Sequence, residues 1–110
     1  MNGNAPDVVT RYLAAADAKD PNAVAACFAD DGTVVDEGVT YTGRDEIAAW
    51  REQTLGKWTY TTTVTGSEPI SADRYRVRVH LSGDFPGGEA DLANDFTVAG
   101  GLITALRIAG

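Results

Sequence analysis

The hydrophobic period of this chain changes once, near Gly56, and that change constrains the fold more than any other feature. Before it, apolar residues recur at helical spacing. Val9, Tyr12, Leu13 and Ala16 fall at i, i+3, i+4 and i+7 of a stretch over residues 5–18. Asp20-Pro21 reads as an N-cap followed by proline in the first helical turn, opening a second helix that runs through Phe28 and offers Val24, Cys27 and Phe28 to a core. A third helix opens at Thr42 or Gly43, with Asp45 and Glu46 in its positive first turn. Its apolar face is Ile47, Trp50 and Thr54, and Gly56 is its stop. After Gly56 the period is two. Lys57–Thr65 is rich in Thr and aromatic residues, and Arg74–Leu81 alternates strictly. Ala90–Val98 and Leu102–Ala109 follow, joined tightly at Gly100-Gly101. Helices first and strands afterwards predict an α+β fold, three helices packed on one face of an antiparallel sheet.

Between the second and third helices lies Phe28-Ala-Asp-Asp-Gly-Thr-Val-Val-Asp36. Asp30-Asp31-Gly32 reads as a turn, and Thr33–Asp36 as a short strand paired across Glu37-Gly38 with Val39–Thr42. Strand side chains alternate faces, so Asp36 shares its face with Val34. An inward acid at the end of a buried strand is a candidate general base; a solvated acid closing the strand is the plain alternative. Tyr12 lies on the apolar stripe of the first helix, where its hydroxyl needs a partner. Asn94 shares a strand face with Leu92, Phe96 and Val98, and an amide there must be hydrogen-bonded or lose its hydration uncompensated. Asp91 and Asp95 fall on the opposite, exposed face. Arg74, Arg76, Arg78 and His80 line the polar face of their strand, a solvated or interface surface.

Composition excludes several classes. The chain has 110 residues, enough for one domain spanning 1–110. A net charge of -7 opposes a nucleic-acid partner, which needs clustered Lys and Arg. One cysteine, Cys27, allows neither an intramolecular disulfide nor a cysteine zinc cage and suits a buried helix position. His80 is the single histidine, so paired histidine ligands are impossible and no metal site is expected. Gly83–Gly88 connects strands and is no phosphate cradle. No apolar run of membrane-spanning length occurs, and the start Met-Asn-Gly-Asn-Ala-Pro-Asp lacks the pattern of a leader. A cytoplasmic chain without a membrane partner is the expectation.

With these residues in view, the chain resembles the nuclear-transport-factor-2-like superfamily. The likeness rests on the Phe28–Asp36 run and on Tyr41-Thr-Gly-Arg-Asp-Glu-Ile-Ala-Ala-Trp50, and it spans essentially the whole sequence. Within the superfamily it is most similar to SnoaL-like polyketide cyclases and ketosteroid isomerases. The resemblance implies a cone, a strongly curved sheet wrapped around three helices with an apolar pocket at its open end, and homodimers packed through the sheet. It implies an isomerase- or cyclase-type proton transfer: a base at Asp36 and an oxyanion donor at Tyr12, within an Arg11-Tyr12 step. The second oxyanion acid of that pattern is replaced here by Asn94, which can donate a hydrogen bond without carrying an acid proton. Phe28, Val34, Trp50, Leu92 and Phe96 would line the site around an apolar small molecule, and no metal or organic cofactor is implied. Limonene-type epoxide hydrolases use an Arg-x-Asp step that is missing from this chain. A binding or dimerisation module without chemistry is the other function the fold supports.

Overall fold

The computed structural model describes residues 5–110. Met1–Asn4, the start of the segment read above for a leader, lie outside the described residues. Three helices, α1 (Asp7–Asp17), α2 (Pro21–Ala26) and α3 (Arg44–Lys57), accompany six strands. The strands are β1 (Phe28–Asp36), β2 (Val39–Thr42), β3 (Tyr60–Pro69), β4 (Arg74–Gly83), β5 (Glu89–Ala99) and β6 (Leu102–Ala109). They form one curved, unclosed sheet in the order β2-β1-β6-β5-β4-β3. The α+β architecture is the expected one, with one difference in strand direction. β1 and β6 run parallel, so the sheet is mixed.

Local chemistry explains the helices. Val8, Val9, Tyr12 and Ala15 of α1 are buried. Asp20 caps α2, its carboxylate accepting the Ala23 N–H at 3.1 Å, with Pro21 opening the helix. In α3, Glu46 reaches back to accept the Thr42 N–H at 3.0 Å, which satisfies a donor just before the helix begins.

Several boundaries differ from the sequence reading: α3 runs through Gly56 to Lys57, and β3 begins at Tyr60 rather than Lys57. α2 stops at Ala26, so Phe28 is the first residue of β1 rather than the last of a helix. Asp30-Asp31-Gly32 does not reverse the chain; it is a bulge inside β1, where the register against β6 slips between Phe28 and Thr33. The start of α3 holds this bulge in place. Arg44 donates to the Phe28 carbonyl at 2.8 Å and pairs with Asp30 at 2.8 Å, while the Gly43 N–H donates to the Gly32 carbonyl at 2.8 Å.

The core lies between the helices and the inner face of the sheet. Val34, Phe96, Ile103 and Leu106 meet Val9, Val24 and Ile47 there. On the outer face Arg76 grips Asp95 through two hydrogen bonds of 2.7 and 3.0 Å. Asp95 is consequently only 18% exposed at its side chain, not the free surface acid its parity suggested. Arg78 pairs with Glu68 at 2.9 Å, and His80 sits between Asp91 at 2.7 Å and Glu89 at 2.9 Å.

Candidate active site

Sheet register decides which polar groups meet. One inner row runs Asp36, Ile108, Asn94, Val77 across β1, β6, β5 and β4. Asp36 and Asn94 therefore stand two strand spacings apart on one face, roughly 10 Å. The next row is Val34, Leu106, Phe96, Tyr75, an apolar band directly beside it. Tyr12 descends onto this band from α1, its ring meeting Phe96 edge-on at 5.2 Å and Phe28 at 6.1 Å between centroids.

From α3, Trp50 donates its indole N–H to Asp36 Oδ2 at 3.0 Å. A charged acceptor strengthens such a bond, and it fixes the carboxylate while leaving Oδ1 free. Trp50 thus holds the acid as well as contributing apolar surface. Tyr41 packs against the same indole, 6.1 Å away.

Next to Trp50, on the same buried stripe, is Arg51. It is 7% exposed, and its guanidinium lies 5.3 Å from the Trp50 ring centroid. The sequence reading passed over it. Its spacing of four from Ile47 was the available signal, because a cation on an apolar stripe faces inward.

Most of this polar group has no partner in the protein. Tyr12 is 4% and Asn94 7% exposed. Among the described residues, no hydrogen bond reaches the Tyr12 hydroxyl, the Asn94 amide or the Arg51 guanidinium. Of these polar atoms Arg51 Nε is the one closed to solvent with no partner among the described residues, and because buried polar atoms are almost always paired it needs a reason. Burial pushes the Tyr12 phenol up to about 12, against the opposing pull of Arg51 and with a further push from Tyr60 and Asp36. The hydroxyl therefore keeps its proton at neutral pH.

The expected apolar lining divides in two. Phe28, Val34 and Phe96 are fully buried and form the packed floor of the interior, with no surface left for a ligand. Trp50 and the half-buried Leu92 stand nearer the polar tips. Two open hollows on the described surface lie elsewhere. One, of about 340 Å³, is bounded by Asn22, Arg44 and Ala48; the other, of about 630 Å³, by Asp7, Arg11 and Val98.

Residues 4–99 match the SnoaL-like domain family. The chain belongs to that family. No curated protein matches it. A solved protein of Sinorhizobium meliloti, assigned as a polyketide cyclase, is 31% identical, with 99% of each chain covered and a TM-score of 0.92. A Catenulispora acidiphila protein with a ketosteroid isomerase-like fold, solved with trimethylamine, is 28% identical at a TM-score of 0.85. That match covers 96% of this chain and 85% of the other. A Mycobacterium tuberculosis protein solved with estradiol-17β-hemisuccinate shares the fold at 21% identity and a TM-score of 0.78, over 94% and 91% of the two chains. Structural relatives of this SnoaL-like chain thus include proteins solved in complex with small molecules. No described helix is long and apolar enough to cross a membrane.

Proposed function

We propose that this SnoaL-like protein is an enzyme that removes a proton alpha to a carbonyl of an apolar small molecule. The observation that carries the reading is the carboxylate of Asp36, held by Trp50 at 3.0 Å on the sheet row that also carries Asn94, with Tyr12 packed on Phe96 of the neighbouring row. Asp36 takes the proton through Oδ1, and the electron pair of the C–H bond moves to the carbonyl oxygen as an enolate forms. Tyr12 and Asn94 donate hydrogen bonds to that oxygen. Such donors count for more away from water, where they need little reorganisation as charge develops. Asp36 then returns the proton to another carbon, as in an isomerase, or the enolate carbon adds to a second carbonyl carbon of the substrate, whose C=O π pair moves onto its oxygen and takes up the proton from Asp36, as in an aldol-type cyclase. No metal or organic cofactor enters the scheme.

Asp36→Asn tests it. The variant should lower exchange of the alpha protons of a β,γ-unsaturated ketone by about 10²–10⁴-fold, followed by NMR in deuterated water, with ligand affinity nearly unchanged. Equal exchange in wild type and variant removes the base from the scheme, and a ligand bound without exchange in either marks a binding module. The same reading places a single 1–110 unit in the cytoplasm and pairs two copies through the sheet. Arg76, Arg78 and His80 are already paired within the chain, so that contact would draw on the exposed Val64 and the β3 edge. Sedimentation at micromolar concentration reads the copy number directly.

A further inference from the structure

We infer that the interior site takes a ligand bearing a carboxylate, and that Arg51 binds it. The inference rests on reading this interior as a ligand site but does not depend on the chemistry at Asp36. Arg51 is 7% exposed, and its Nε is wholly shut off from solvent with no hydrogen-bond partner. No carboxylate among the described residues lies within ion-pair distance of it; Arg44, Arg76 and Arg78, which are paired, sit nearer the surface. A buried charge without a partner is among the most costly features a fold can carry, and the Trp50 ring offsets only part of that cost. A guanidinium placed for structure alone would be paired. An unpaired one fits a group that arrives from outside.

The chemistry of the site narrows what that group is. Guanidinium presents a planar fork of donors that matches a carboxylate through two parallel hydrogen bonds. Tyr12, whose hydroxyl keeps its proton, is buried in the same interior, and Arg51 pulls against the rise that burial gives its pKa. Asp36, bonded at 3.0 Å to Trp50 beside Arg51, is an acid of the same interior, and its charge repels a second anion. A ligand with one carboxylate is therefore oriented with its acid end toward Arg51 and its uncharged carbonyl toward Asp36. One buried cation suits a monoanion and disfavours a phosphate dianion.

The test uses matched acid and carboxamide probes, cyclohexanecarboxylate and 2-naphthylacetate with their amides, titrated by calorimetry and by indole fluorescence. Wild type should bind at least one acid ten-fold or more tightly than its amide. Arg51→Met, which keeps the length and apolar bulk of the stem, should reduce that preference below three-fold while the amide affinity holds. Arg51→Lys should restore part of it. Without ligand, Arg51→Met should unfold at a higher temperature than wild type, because it removes an unpaired charge. Asp36→Asn should retain the acid preference even if exchange chemistry is lost, which separates this proposal from that of the general base. Equal affinity of wild type for acid and amide, or a preference that survives in Arg51→Met, overturns the carboxylate assignment. Failure of every probe to bind overturns the assignment together with the ligand site itself.

Discussion

At the scale of single residues, Trp50 and Tyr12 make opposite contributions to stability, and substitution separates them. The Trp50 indole satisfies a carboxylate, so Trp50→Phe leaves Asp36 short of a donor in a half-buried place. A hydrogen bond to a charged group contributes about 1.5–3 kcal/mol, and loss of that order is expected in urea unfolding, together with weaker proton exchange. Among the described residues the Tyr12 hydroxyl makes no hydrogen bond. Tyr12→Phe should therefore leave stability level or slightly raised, yet slow exchange chemistry by about 10²–10³-fold, the usual effect of removing one oxyanion donor. A Tyr12→Phe variant that unfolds far more easily would show the hydroxyl to be structural. The inward direction of Asp36 was legible because strand parity ties it to Val34. Arg51 was legible only through its spacing of four from Ile47, a signal easily passed over because a cation on a helix ordinarily reads as surface.

At the scale of elements, local signals identified what the chain does within a few residues and missed what distant pairing imposes. Asp-Asp-Gly carries the composition of a turn, and nothing nearby distinguishes a turn from a bulge. β6 makes that distinction by holding Phe28 and Thr33 in two different registers. The alternation of β4 and β5 was legible, and so were their two faces, but the pairing that draws Asp95 under Arg76 comes from cross-strand register. On that outer face His80 is held between Asp91 and Glu89, whose hydrogen bonds raise its pKa above the ordinary 6.5. The folded state therefore binds the proton more tightly than the unfolded chain does. Its contribution to stability is complete below the unfolded value and fades as pH rises through the raised one. Arg76 acts on Asp95 in the opposite sense, holding its carboxyl below the ordinary 3.8, so that contribution is lost only as pH falls into the acid range. His80→Gln should thus destabilise at pH 6 and do little at pH 9 in thermal unfolding. An equal deficit at both values would mean the imidazole matters for packing rather than charge.

For the molecule as a whole, β6 is the strand on which the site depends. It lies between β1 and β5 in the sheet, and its Ile108 joins Asp36 to Asn94 within one row. The parallel pairing of β1 with β6 links two segments far apart in sequence, and helical or alternating periods carry no record of such a link. Antiparallel neighbours joined by short turns could be inferred from the sequence, β5 and β6 across Gly100-Gly101 among them. The one parallel pair could not. Its burial shows how much depends on it: Ile103 and Leu106 are closed to solvent, opposite Phe28 and Val34 on one side and near or opposite Val98 and Phe96 on the other. A chain ending at Gly101 would leave β1-β2 and β5-β4-β3 as separate pieces, each with an exposed apolar face and an unpaired edge. Removing two fully buried large side chains costs about 2–5 kcal/mol each, comparable to the 5–15 kcal/mol that holds a whole domain folded. The truncated chain should show no cooperative thermal transition and no fixed near-ultraviolet signal from Trp50. Adding the peptide 102–110 in excess should restore both if β6 completes the fold by pairing, and a truncated chain that melts cooperatively alone would move the centre of the fold into the helices.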